Sequence, residues 1–274
     1  MARELGVAII HGIGSQEADF ADAMIREVSA RLGQSAKHVH WKPIWWAPVL
    51  RGAEVELLKR LGEGGHLDWR WLREFVVNFL ADAVAYQRVP GESSEPGVYV
   101  KIHQLIGRRL SELRAELSSQ EREPPLLVLA HSLGGHIMSN FIWDHQRPRE
   151  SRGAVPVSGF ERMESLAGMI TFGCNIPLFA LALPRIVPIT FPPATLEPAL
   201  KSVARWRNYY DPDDVLGFPL APLSAEYAKT VEDHVVRVGG LLTGWNPAAH
   251  NAYWTDNDIT RPVADAIQAL LDAP

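Results

Sequence analysis

Residues 124–141 read PPLLVLAHSLGGHIMSNF, and the architecture expected of the whole chain follows from this stretch. Two prolines end whatever precedes them, and the apolar run 126–130 is short and strand-compatible. A continuous run of this length suits a strand covered on both faces, as in a parallel sheet. His131, Ser132, Leu133, Gly134 and Gly135 come next, and then Ile137, Met138, Phe141 and Ile142 recur at helical spacing. A strand, a tight turn centred on a serine and a helix together form a nucleophile elbow. Such a turn lifts the serine hydroxyl out at the carboxyl end of the strand. There the first amides of the helix and its dipole favour a developing negative charge. The sharp turn is expected to bring Ala130 against Gly134, so small residues are needed at both and the pattern is AxSxG. The plain alternative is an incidental serine in a Gly-rich turn, and the rest of the chain decides between the two.

With 274 residues, 47% of them hydrophobic, the chain can bury a full core as one large α/β domain. A net charge of −5 and the lack of a long basic run argue against a nucleic-acid partner, which would need a positive footprint. Cys174 is the only cysteine, so no intrachain disulfide can form, and a reducing, cytoplasmic setting is expected. The opening MARELGVAIIHGIG reaches a Gly-rich turn too soon for a signal peptide, and the apolar tract 176–183 is too short to span a bilayer. Transient contact with a membrane surface stays open.

The chain opens with a strand over residues 5–10 that runs into His11-Gly12-Ile13-Gly14. Phe20, Met24, Val28 and Leu32 then predict a helix closed by Gly33. The exposed amide of this turn, at Ile13, is read as one half of an oxyanion hole, with the Leu133 amide as the other. Residues 38–41 alternate as a second strand. Residues 44–97 hold Trp45, Trp46, Trp69 and Trp71, with Asp68 placed to cap a helix, and predict an inserted helical cap. An aromatic stripe of this kind is more often core than lid, and both readings stand here. A helix over 102–117 feeds the elbow strand, and residues 146–159 read as a loop. Further strands are expected at 167–172, 205–210 and 231–238. A closing helix is expected at 260–271, with Pro262 in its first turn. The proline-bearing apolar excursion 176–198 cannot be regular helix throughout and is expected to form a second pocket wall.

Strands alternating with helices predict a mainly parallel, doubly wound sheet with functional groups at the strands' carboxyl ends. After Ser132 come the acidic group Asp211, Asp213 and Asp214 and then His250, which is the Ser–Asp–His order of an α/β-hydrolase fold. A serine is a poor nucleophile unless a histidine takes its proton, and an acid fixes that imidazole's tautomer. His234 lies within a predicted strand, so His250 is the better candidate base. LGVAIIHGIGSQ, LLVLAHSLGG and HNAYWTDND resemble the lipase-type α/β-hydrolases, and within them the intracellular phospholipase A1 group with a DDHD domain. The resemblance rests further on Asn208, Pro212, Asp214, Phe218 and Pro222-Leu223, on Asp233, and on His250, Tyr253, Trp254 and Asp258. It implies a catalytic set of Ser132, Asp214 and His250, a lipid-like acyl ester as substrate, and no cofactor.

Three alternatives remain at this level. The fold could serve as a catalytically silent scaffold for a ligand or partner. The same triad could transfer an acyl group, or cleave an amide or thioester. Asp214, Asp233, His250 and Asp258 could instead hold a metal. His11 and His131 are read as hydrogen-bonding supports, and Cys174 as a small buried hydrophobe.

Overall fold

The computed structural model describes residues 3–13, 16–63, 68–69, 83–87, 96–118, 123–147, 158–181, 183–239 and 249–274. Six strands, β1 (Leu5–Ile10), β2 (Val39–Ile44), β3 (Leu126–His131), β4 (Leu166–Phe172), β5 (Arg205–Tyr210) and β6 (Val231–Val235), form one sheet. Its order is β2-β1-β3-β4-β5-β6, and every neighbouring pair is parallel. β1, β3 and β4 are buried along their whole length, as their unbroken apolar runs require. Pro43 is accommodated because β2 is an edge strand and needs no complete ladder.

Successive side chains on a strand face opposite ways, and the apolar residues divide on that rule. Ala8, Ile10, Leu126, Val128 and Ala130 enter one core; Leu5, Val7, Ile9, Leu127 and Leu129 enter the other. Helices α1 (Asp22–Leu32), α2 (Pro48–Glu63), α3 (Val98–Glu116) and α4 (Leu133–Gln146) come before β4. The short helices α5 (Ile176–Ala180), α6 (Pro198–Val203), α7 (Ala225–Thr230) and α8 (Ala249–Ala252) precede the closing α9 (Asn257–Leu271). α3 and α4 bury Ile102, Ile106, Ile137 and Phe141 on the first face, while α1 and α9 bury Met24, Val28, Val263 and Ile267 on the second. Each such side chain contributes roughly 1.5–3 kcal/mol on burial.

Several boundaries differ from those expected. β6 ends at Val235, and the Val236 N–H still bonds the Tyr210 carbonyl beyond it. α9 starts three residues before Thr260 because the Asp256 carboxylate accepts the Asp258 N–H at 2.8 Å, so Pro262 falls in the second turn. α4 continues through Gln146, leaving a later start for the polar loop. Of the expected cap, residues 64–67, 70–82 and 88–95, with Trp71 and most of the apolar stripe, lie outside the described residues. Among the described residues no helix is long and apolar enough to cross a membrane.

The strand order reverses direction between β1 and β3. The chain steps from β1 outward to β2, then returns past β1 to β3 and continues the other way. Crossovers diverge at such a point and leave a crevice at the carboxyl ends of the two strands. The turns that leave β1 and β3 are His11-Gly12-Ile13 and the Ser132 elbow.

Candidate active site

Ser132 stands between β3 and α4 with φ 53° and ψ −126°, a left-handed backbone that costs a non-glycine residue about 1–3 kcal/mol. Neighbouring chain holds it there. The Ser132 N–H donates to the Phe172 carbonyl at 3.1 Å, and Gly135 N–H donates to the Ser132 carbonyl at 3.0 Å. A Cβ on Gly12 would lie 2.4 Å from the Ser132 Cβ, so the β1 turn rests directly on the elbow. A Cβ on Gly134 would lie 2.6 Å from the His11 carbonyl and 3.0 Å from that of Ile10. The nearest approach that demands glycine at 134 thus comes from β1 rather than from Ala130. Leu133 opens α4, where an N–H has no intrahelical acceptor. Ile13 is the next amide along the β1 turn after Gly12.

The Ser132 hydroxyl donates to His250 Nε2 at 2.7 Å, and His250 Nδ1–H donates to Asp214 Oδ2 at 2.8 Å. This tautomer is the one that a carboxylate at Nδ1 selects, leaving Nε2 free to accept. Burial alone would raise the Asp214 pKa. The His250 hydrogen bond and charge, the Leu216 N–H and the Tyr253 hydroxyl outweigh it, so the carboxyl is held below its usual range and stays ionised. Ser132 is fully buried and Asp214 is 5% exposed.

The structure brings Asp214, not its two neighbours, to the imidazole. Asp213 is solvent-facing and pairs with Arg237 at 2.5 Å. Asp211 departs from expectation: it is 2% exposed rather than a surface loop acid. Its carboxylate accepts the Asp213 N–H at 2.9 Å and the Val238 N–H at 2.7 Å, so it folds the acid loop and ties it to the chain beyond β6. Tyr253 links the two acids. Its hydroxyl donates to Asp214 Oδ2 at 3.0 Å and accepts the Asp211 N–H at 2.9 Å. Burial and the Asp214 charge raise the phenol's pKa, so it remains a donor. Its ring and that of Trp254 are buried, which anchors α8.

Asn208 and Asp233 hold the rest of the acid loop. Asn208 Nδ2 donates to the Phe218 carbonyl and to Asp233 Oδ1, and Thr171 Oγ1 donates to its Oδ1. Asp233 accepts the N–H groups of Leu220 and Ala221. Asp258 sits in the first turn of α9, where a carboxylate complements the helix dipole. Among the described residues no three His, Cys, Asp or Glu side chains converge as a metal site would require. His234 lies on β6, stacked on Tyr209.

The flanking histidines have the partners of supports. His11 Nε2 accepts the Trp46 N–H at 3.0 Å, its Nδ1–H donates to the Gly12 carbonyl at 2.8 Å, and its ring stacks on Trp46. Burial pushes its pKa down to about 4, against the Gly12 carbonyl. His131 Nε2–H donates to the His250 backbone carbonyl at 2.7 Å and fixes the segment carrying His250. Burial and the nearby His250 hold it neutral. Cys174 is buried against Gly135, its thiol pushed up to about 12 by desolvation.

A cavity of about 430 Å³ runs along α4. His136 and Asn140 line one wall, and Ile176, Phe179, Leu183 and Ile186 line the other. His136 is four residues past Ser132, roughly 6 Å along the helix axis. The first half of the 176–198 excursion, as far as Val187, therefore contributes to a pocket wall, and among the described residues α5 is its only helix before α6.

No family model matches the chain, and no curated protein matches it significantly.

Proposed function

We propose that this protein is a serine ester hydrolase with an α/β-hydrolase fold, cleaving acyl esters through a covalent acyl-enzyme. The observation that carries the reading is the unbroken relay from Ser132 Oγ to His250 Nε2 and from His250 Nδ1 to Asp214, at 2.7 and 2.8 Å. Its place at the strand-order reversal, on a strained elbow, supports the same reading, because strain of this kind persists where surrounding structure enforces it.

The chemistry follows from the three groups. Ser132 Oγ attacks the ester carbonyl while its proton passes to His250 Nε2. Asp214 stabilises the resulting imidazolium without taking the proton. The carbonyl oxygen becomes an oxyanion, for which the Leu133 and Ile13 amides are the proposed donors. His250 then returns the proton to the departing alkoxide, and the alcohol leaves. Water, deprotonated by His250, attacks the acyl-enzyme and releases the acid, with the proton restored to Ser132.

The apolar wall of the α4 cavity suits an acyl chain, and the sequence resemblance to DDHD-type phospholipases points to a lipid-like ester. A fluorophosphonate probe tests the reading. Wild type should label covalently, and Ser132→Ala should not label while keeping its circular dichroism and melting temperature. A wild type that does not label would favour the silent-scaffold alternative, and labelling that survives in Ser132→Ala would reject this mechanism.

A further inference from the structure

Asn175 lies on the segment that joins β4 to the cavity wall, and every residue beside it is committed to the site. The Phe172 carbonyl holds the Ser132 N–H. A Cβ on Gly173 would lie 3.0 Å from the Tyr253 ring, 3.2 Å from His250 Cε1 and 3.3 Å from Asp214 Oδ2. Cys174 packs on Gly135, and its carbonyl accepts the Phe218 N–H at 3.0 Å, pinning the acid loop. Ile176 is already a wall of the cavity. By chain position Asn175 lies between Gly173, which packs on the triad, and Ile176, which lines the apolar pocket.

Its side chain is 1% exposed, and neither Oδ1 nor Nδ2 has a hydrogen-bond partner. Among the described residues no other side chain has two buried polar atoms without partners. It does not cap α5, although it stands at that helix's N-cap position. Asn208, equally buried two strands' width from the elbow, has a partner for each polar atom. A buried amide with no partner is unfavourable, and a leucine of similar volume would avoid the cost. A buried group left unpaired within the protein offers an open donor and acceptor to a partner that arrives with a ligand.

We infer that Asn175 is a substrate-binding residue that reads a hydroxyl next to the scissile ester. A carboxamide presents an acceptor and a donor side by side, and a hydroxyl answers both with one group. A carbonyl or ether oxygen would satisfy only Nδ2. The hydroxyl belongs either to the alcohol side, as in a partial ester of a polyol, or to the acyl side, as in a hydroxyacyl ester. This rests on the hydrolase reading of Ser132.

The test compares two matched pairs of esters with wild type and Asn175→Leu. Glycerol monobutyrate is set against propyl butyrate, and ethyl 3-hydroxybutyrate against ethyl butyrate. In wild type, kcat/KM should favour the hydroxylated member of one pair by about tenfold or more, and the pair that responds identifies the side that carries the hydroxyl. In Asn175→Leu that preference should fall to about twofold or less, while the melting temperature stays level or rises because no protein partner is lost. A wild type that labels with fluorophosphonate but shows no preference in either pair overturns the Asn175 assignment alone. A preference that survives in Asn175→Leu, or a variant that melts several degrees lower, also overturns it. A wild type that neither labels nor hydrolyses any ester removes the hydrolase reading and this assignment with it.

Discussion

Removing one oxygen from Tyr253 separates the positioning of the acid from the acid itself. In Tyr253→Phe the ring keeps its buried site, but two hydrogen bonds vanish: the donation to Asp214 Oδ2 at 3.0 Å and the acceptance of the Asp211 N–H at 2.9 Å. The Asp211 N–H is then buried without a partner, which costs about 1–3 kcal/mol, and a bond to an ionised carboxylate is lost as well. Together these should lower stability by about 2–4 kcal/mol. For a domain of this size each kcal/mol moves the melting temperature by about 2 °C, so a drop of roughly 4–8 °C is expected. Catalysis should suffer less. Asp214 keeps the His250 bond at 2.8 Å and the Leu216 N–H at 3.0 Å, so the imidazole tautomer is preserved. The expected loss in kcat is about tenfold, or about 1.4 kcal/mol of barrier. Differential scanning calorimetry and a p-nitrophenyl ester assay on the folded fraction measure the two effects. A variant that melts within one degree of wild type at unchanged kcat would show that the phenol bridge carries neither load.

The neighbouring acids should behave asymmetrically. Asp214→Asn should lower kcat by about 10⁴-fold, because the amide no longer selects the tautomer with Nε2 free; a loss under about tenfold would reject Asp214 as the orienting acid. Asp211→Asn should keep kcat per folded molecule within about tenfold but melt several degrees lower, since one of two N–H groups then faces an amide NH₂; an unchanged melting temperature would contradict this. Gly12→Ala should slow fluorophosphonate labelling by about a hundredfold or more, because its Cβ would stand 2.4 Å from that of Ser132 and force the β1 turn off the elbow; normal labelling would mean that the turn yields freely. Stability should fall as the pH drops below neutral. His11 and His136 have folded pKa values of about 4 and about 3, below 6.5 in the unfolded chain, so the unfolded state binds more protons between these limits. Stability therefore rises with pH across that window, and each imidazole costs about 2 kcal/mol on going from pH 7 to pH 5. Urea midpoints at the two pH values check this, and equal midpoints would refute it.

How far the site can be read from the sequence depends on how local each geometry is. The Ser132 elbow is legible because strand, turn and helix are contiguous, and the local chain alone places the serine at the carboxyl end of β3. Its strain, by contrast, is held by distant chain, by the Phe172 carbonyl and by Gly12. His250 over His234 is legible because a mid-strand side chain is locked to one face of the sheet, whereas a residue beyond the strand is not. Asp211 is the opposite case. Three carboxylates within four residues are equivalent by composition, and nothing nearby announces that Val238, 27 residues on, will donate its N–H to the first of them. The same limit hides the phenol bridge. Tyr253 is legible as an aromatic that buries its ring, but its hydroxyl gains meaning only when β5 and α8 meet. Asn175 carries no local signal, since an asparagine after a strand ordinarily caps the next helix, and its interest lies in not doing so. Contiguous geometry thus supplies the proposed nucleophile, and the reversal of strand order between β1 and β3 supplies the place. The acid and its supports come from segments that only the folded sheet brings side by side. Substitutions that spare the elbow but displace Asp214 within the 211–218 loop should therefore reduce activity through the orientation of His250, with Ser132 itself unmoved.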